Sequence, residues 1–215
     1  IEEGRLGWET TLAGLFPELV PAMDPGFRSA TVEMLLYHEA GLPEDGADAA
    51  QARRLAGLEG SPSEQRQEAV RLSLARPPAY RPGTRNLYAN LGYDILGAAL
   101  ERLTGESWEA LLRRRIFEPL GMAGAGFGSP SSPGRVDQPW GHAERGAWPR
   151  RLFWIERTRI PPAGAPSGNA CISLPDWARF AALHLEALGG RCRLLSCASF
   201  QRLHREHRPG SGFRS

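Results

Sequence analysis

The sequence predicts a helix-rich chain of the α+β class, on three observations. Capped amphipathic helices recur along its 215 residues. A clear strand pattern stands at Leu152-Phe153-Trp154-Ile155, and a tight turn followed by Tyr88-Ala89-Asn90 leads into one of the most regular helices. Hydrophobic content of 41% and charged content of 23% are those of a globular chain, and the length suits one domain with a real core.

In chain order, Ile1-Glu2-Glu3-Gly4-Arg5-Leu6 reads as the end of a helix with Gly4 just past it. The start is therefore expected to fall inside an element, and the chain to be an internal fragment. Thr31 can cap a short helix from Val32 to His38, with Leu35 and Leu36 inward and Gly41 closing it. Residues 43–60 are rich in Gly, Ala and Asp and read as loop. Ser61-Pro62-Ser63-Glu64 is a capping box with proline at the first helical position, opening a helix to about Arg76 that Pro77 and Pro78 stop. Residues 79–87 should be extended.

Tyr88 and Asn90 then stand at a helix entrance, where backbone N–H groups lack helical partners and can meet a substrate. Gly92, Leu96, Ala99, Leu100 and Leu103 keep helical spacing, and Thr104-Gly105 closes the element. Ser107 caps a further helix with Leu111, Leu112 and Ile116 facing the core. Its Arg113-Arg114-Arg115 run reads as a solvated face favoured by the helix dipole. Residues 123–149 are loop-like. Ser173 and Asp176 form a second capping box, before a stripe of Trp177, Phe180, Ala181, His184, Leu185 and Leu188. His184 on that stripe reads as a core histidine, and a last short helix spans about Ser196 to Leu203.

All 26 basic residues are arginine, and the net charge is +2. Arginines scattered among nearly equal acids offer no stripe for a phosphate backbone, which argues against nucleic-acid binding. No apolar run reaches the roughly 18 residues of a spanning helix, and the first residues lack a signal-peptide layout. Cys171, Cys192 and Cys197 are odd in number and say little about redox compartment. A metal reading of Cys192, Cys197, His204 and His207 has irregular spacing, so no metal and no cofactor are assigned. Gly-x-Ser-x-Gly, His-Glu-x-x-His and a phosphate loop are all absent.

Four stretches together carry a family likeness. Thr31-Val32-Glu33-Met34-Leu35-Leu36-Tyr37-His38-Glu39-Ala40-Gly41-Leu42 matches Thr-x-x-x-Leu-Leu-x-His-x-Ser-Gly-Leu, with Ala40 in place of serine. Tyr88-Ala89-Asn90, the connector Phe117-Glu118-Pro119-Leu120-Gly121-Met122, and Pro166-Ser167-Gly168 with the helix after it follow in order. The chain thereby resembles the serine β-lactamase and penicillin-recognising superfamily, and within it the class C β-lactamases and related carboxylesterases.

The resemblance implies an α+β, β-lactamase/transpeptidase-like fold, of which residues 1–215 supply mainly the helical subdomain and little of the antiparallel sheet. It implies a serine hydrolase that cleaves a small amide or ester through an acyl-enzyme, without metal or cofactor. Tyr88 takes the catalytic tyrosine's place and Asn90 that of the substrate-binding asparagine. The family's Ser-x-x-Lys nucleophile motif has nothing to map onto, because the chain contains no lysine. His38 is expected to be structural, and Ser167 is not expected to be catalytic. Export to the periplasm or extracellular space is implied for the parent. A non-catalytic relative that keeps the fold as a binding or structural module is the alternative.

Overall fold

The computed structural model describes residues 1–44, 48–132, 135, 137–139, 141–145, 151–155 and 160–205, the segments 141–145 and 151–155 by backbone alone. Among the described residues six α-helices come first: α1 Leu12–Leu15, α2 Val32–Leu36, α3 Ala49–Ala56, α4 Pro62–Leu74, α5 Leu91–Thr104 and α6 Trp108–Leu112. A widened turn, Arg113–Phe117, continues α6 and is followed by β1 Gly126–Phe127, β2 Gly141–Arg145 and β3 Arg151–Ile155. The turn Pro162–Gly164 then leads into α7 Ala165–Gly168, β4 Ala170–Cys171, α8 Leu174–Leu188 and α9 Cys197–Leu203. β1 pairs antiparallel with β4, and β2 with β3 in a register that sets Gly141 opposite Ile155. Helices with little sheet are what the sequence implied.

Local capping chemistry explains most helix starts. Thr31 and Ser107 accept N–H bonds from Met34 and Ala110, and Ser61 and Glu64 complete a reciprocal capping box. Three expectations need correction. Within the expected loop 43–60, Asp48 accepts from the N–H groups of Ala50 and Gln51 and starts α3, whose alanines and arginines are strong helix formers. The helix after Thr31 stops at Leu36, two residues before His38, because His38 turns left-handed with φ 56°. Within 123–149, β1 pairs with β4, a partner too distant to show in local composition, and β2 pairs with the nearby β3.

The main core gathers Phe16, Phe27, Leu35, Leu74 and Ile95 between α1, α2, α4 and α5. Burial of each such side chain contributes about 1.5–3 kcal/mol. A second core packs Phe117, Leu120 and Met122 against Leu183 and Ala187 of α8 and Phe200 of α9. Here a further correction falls. α8 buries Leu183 and Ala187, while the expected stripe members Trp177, Leu185 and Leu188 are 53%, 69% and 61% exposed. The helix is turned about one residue from the expected phase, because the connector residues and Phe200 pack on its 183/187 side. Similarly, Leu100 of α5 is exposed, and Ile95 and Ala98 are buried instead. Arg113, Arg114 and Arg115 are exposed, with Arg114 paired to Glu106 and Arg115 to Glu3.

Arg66 of α4, whose side chain is fully buried, ties the helical part together. Its Nε and Nη2 donate to the two oxygens of Glu101 on α5, at 3.1 and 2.6 Å. Nη1 and Nη2 donate to the two oxygens of Glu109 on α6, at 3.1 and 2.9 Å, and Nη1 also donates to the Pro162 carbonyl at 2.9 Å. All five guanidinium N–H groups are thus used, in the planar fork geometry unique to arginine. Glu101 also accepts from the Ser63 hydroxyl and the Trp108 N–H.

At the start of α8, Ser173 accepts from the Asp176 N–H as a cap, but the reciprocal half of the expected box is redirected. The buried Asp176 carboxylate accepts from the Gly124 N–H at 2.8 Å, from the Ser173 hydroxyl at 2.9 Å and from Arg179. Burial pulls this carboxyl up, yet the Ser173, Gly124 and Arg179 donors outweigh it and hold the group below its ordinary 3.8.

Arg66→Ala would strand Glu101 and Glu109, with an expected cost of about 3–5 kcal/mol in urea unfolding. Arg66→Lys should recover less than half of that, since an ammonium cannot span two carboxylates and a carbonyl in one plane. Equal stability for all three proteins would refute the hub.

A carboxyl depressed in the folded state contributes stability above its unfolded pKa and loses it as pH falls through the folded value. The stability gap between the parent and Asp176→Asn should therefore be full at neutral pH and close as pH drops below 3.8. Denaturant midpoints across that range would reveal it, and a pH-independent gap would contradict the assignment.

Candidate active site

The approach to Tyr88 is built by two crossing segments. Residues 79–87 run along the loop after α2, with the Ala79, Gly83 and Leu87 N–H groups donating to the carbonyls of Gly41, Glu39 and His38 at 2.8, 2.8 and 2.9 Å. The Asn86 carboxamide donates to the Tyr37 carbonyl at 2.6 Å, and the Tyr80 hydroxyl to that of His38 at 3.0 Å. Between them, Pro82-Gly83 turns the chain. Gly83 has φ 77°, and the Thr84 N–H closes onto the Arg81 carbonyl, which is type II turn chemistry. Gly41 is required where it stands, because a Cβ there would lie 2.6 Å from the Tyr80 carbonyl oxygen.

His38 sits where the segments cross. Its left-handed backbone turns the ring under the tripeptide, and Nδ1 accepts the buried N–H of Ala89 at 3.3 Å. The ring also packs on Tyr88 at 4.6 Å and on Tyr93 at 5.5 Å. This is the structural, backbone-bonding histidine that the sequence implied, with the added role of a platform for the phenol. Tyr93 was not foreseen. Its hydroxyl donates to the Leu36 carbonyl at 3.2 Å, and burial pushes both its phenol and that of Tyr80 up, so each remains a neutral donor. Its signal was its place on the first turn of α5, three residues after Asn90.

Tyr88 is 50% exposed and donates its hydroxyl to Oδ1 of Asn90 at 3.0 Å. Asn90 has helical φ and ψ and makes no side-chain capping bond to α5, so its carboxamide points to the phenol and not down the helix. A phenol and a carboxamide thus meet on the solvent side of a rigid helix start. One turn further along α5, Asp94 accepts the Ser167 N–H at 3.1 Å and anchors α7 beside the tripeptide. Gly97 lets α7 approach, since a Cβ there would lie 2.3 Å from Cγ of Pro166. The Ser167 hydroxyl donates to the Gly164 carbonyl at 2.9 Å, a local backbone bond in keeping with a non-catalytic serine.

The four-ligand metal reading does not survive. Cys192 and Cys197 are bonded to each other as a disulfide, which removes both thiolates, and His207 lies outside the described residues. Among the described residues no group of three or more His, Cys, Asp or Glu side chains is placed to hold a metal ion. No helix among the described residues is long and apolar enough to cross a membrane.

Comparison with known families gives a match to the Beta-lactamase model over residues 1–212. The chain belongs to the β-lactamase family. Among curated family relatives, penicillin-binding protein 4 of Amycolatopsis lactamdurans is 29% identical over 93% of this chain and 50% of its own length. Lovastatin esterase of Penicillium rubens is 29% identical over 59% of this chain and 35% of its own length. Among solved structures, the octameric penicillin-binding protein homologue from Pyrococcus abyssi superposes with a TM-score of 0.65 at 25% identity, covering 94% of this chain and 43% of that one. The chain therefore spans at most half the length of these β-lactamase-family proteins.

The His38 platform makes a graded prediction. His38→Asn keeps an acceptor on a residue tolerant of the left-handed region and should change stability by about 1 kcal/mol or less. His38→Val adds left-handed strain to an orphaned Ala89 N–H and should cost about 2–4 kcal/mol. Melting curves of the two variants would check the order, and a reversed ranking would show that the backbone conformation is not what the position demands.

Proposed function

We propose that Tyr88 and Asn90 form the proton-transfer and substrate-orienting unit of a serine hydrolase that cleaves amide or ester bonds in small molecules. The observation that carries this reading is the 3.0 Å bond from the half-exposed Tyr88 hydroxyl to an Asn90 carboxamide that caps no helix. In the proposed mechanism Tyr88 takes the proton of a serine hydroxyl as that oxygen attacks the substrate carbonyl. It then passes the proton to the leaving nitrogen or oxygen, and water reverses the sequence to release the acid. Asn90 donates its amide N–H to the substrate, while its Oδ1 aims the phenol. The 215 residues contain no lysine and therefore no Ser-x-x-Lys. Turnover is accordingly proposed for the whole protein, in which the serine and a cation meet Tyr88, and not for these residues alone.

Family membership and the names of the relatives support amide and ester substrates without choosing between them. The Cys192–Cys197 disulfide supports a parent that works in an oxidising compartment, periplasmic or extracellular. A second reading is a non-catalytic relative that keeps the fold as a binding module.

In the complete protein, Tyr88→Phe should lower kcat/KM by about a hundred- to ten-thousand-fold with the melting temperature little changed, since only the phenolic oxygen is lost. Asn90→Ala should instead shift preference among amide and ester substrates. Wild-type kinetics for both variants in an active parent would exclude the hydrolase assignment. Substrate binding without turnover in the unmutated protein would favour the binding module.

A further inference from the structure

Away from the tripeptide, two imidazoles converge between the last helices. Nδ1 of His184 on α8 and Nε2 of His204, the residue that closes α9, are hydrogen-bonded at 3.0 Å, with the rings nearly perpendicular at 78°. His184 is held on two sides, by Phe180 at 4.8 Å and edge-on by Phe200 at 5.3 Å. The Cys192–Cys197 disulfide ties the connection after α8 to the first residue of α9, and Phe200 is buried in the core they share. His184 is thus held in place by its surroundings, while His204 is exposed.

The geometry points to a divalent transition-metal site in which His184 Nδ1 and His204 Nε2 chelate one ion and water completes its shell. The 3.0 Å contact is a hydrogen bond, so an ion would take the place of the shared proton and, at about 2.0–2.1 Å from each nitrogen, would need the exposed His204 ring to draw back. Imidazole nitrogens suit nickel(II), copper(II) and zinc(II). An ion there would cross-link α8 to α9. The site is independent of the hydrolase reading, because neither histidine touches Tyr88, Asn90 or their supports.

The test is calorimetric titration of the chain with nickel(II) and zinc(II) in a His142→Gln, His207→Gln background. Of the five histidines, this leaves His184 and His204 with the buried His38. One nickel per chain is expected, raising the melting temperature. His184→Gln and His204→Gln should each weaken nickel at least tenfold while the apo-protein keeps its circular dichroism. Because His204 is exposed, its variant stays informative if loss of His184 disturbs the core. Absence of nickel binding, or binding that neither substitution weakens, would overturn the site.

Discussion

A guanidinium with no solvent contact is the constraint on which the helical half of this protein depends. Arg66 reaches residues 35, 43 and 96 positions away, so three distant stretches become one body when its side chain is seated. Taking that charge out of water is costly, and the two carboxylates and the carbonyl must all be in place to offset it. The penalty for a wrong arrangement is what makes the arrangement specific. Glu101 lies on the same helix that Asn90 opens, three turns on, so seating the arginine also fixes the rotation of α5 about its axis. Gly92, whose Cβ position lies 3.0 Å from the Leu35 carbonyl oxygen, fixes the other end. At that end Tyr88 and Asn90 lead into a helix held against rotation.

The tripeptide's own support is of a different kind. It comes from backbone groups of two loops laid side by side and from neutral aromatic rings, with no ion pair among the bonds described. His38 contributes a ring nitrogen to Ala89, a ring that packs on Tyr88 and Tyr93, and a carbonyl to Tyr80 and Leu87, all from one strained residue. Strain of that sort persists only where the surroundings over-determine it. Here they do, since Leu87, Ala89 and Tyr80 each hold part of the residue.

What could be read from sequence divides along the same lines. Caps at Thr31, Ser61, Ser107 and Ser173 were legible because a hydroxyl and an N–H three residues on settle the matter locally. The position of Tyr88 and Asn90 at a helix start was legible from the turn before them. The Arg66 hub was not, because nothing in the local pattern of α4 distinguishes an arginine with two remote carboxylates from one in solvent. α3 was hidden by a glycine- and aspartate-rich setting, although Asp48 was a cap in plain view. The phase of α8 was misjudged because apolar residues lie on both sides of it, and only the location of Phe117, Met122 and Phe200 says which side is inside.

The near-contact of Gly97 with Pro166 bears on how the molecule can deform. Backbone pressed against a pyrrolidine ring leaves neither a water layer to lubricate sliding nor a side chain to act as a spring. The Ser167–Asp94 bond pins the same seam from the other side. Stress applied to the 165–168 turn is therefore delivered straight into the axis of α5, and whatever shifts one carries the other along as a single rigid lever.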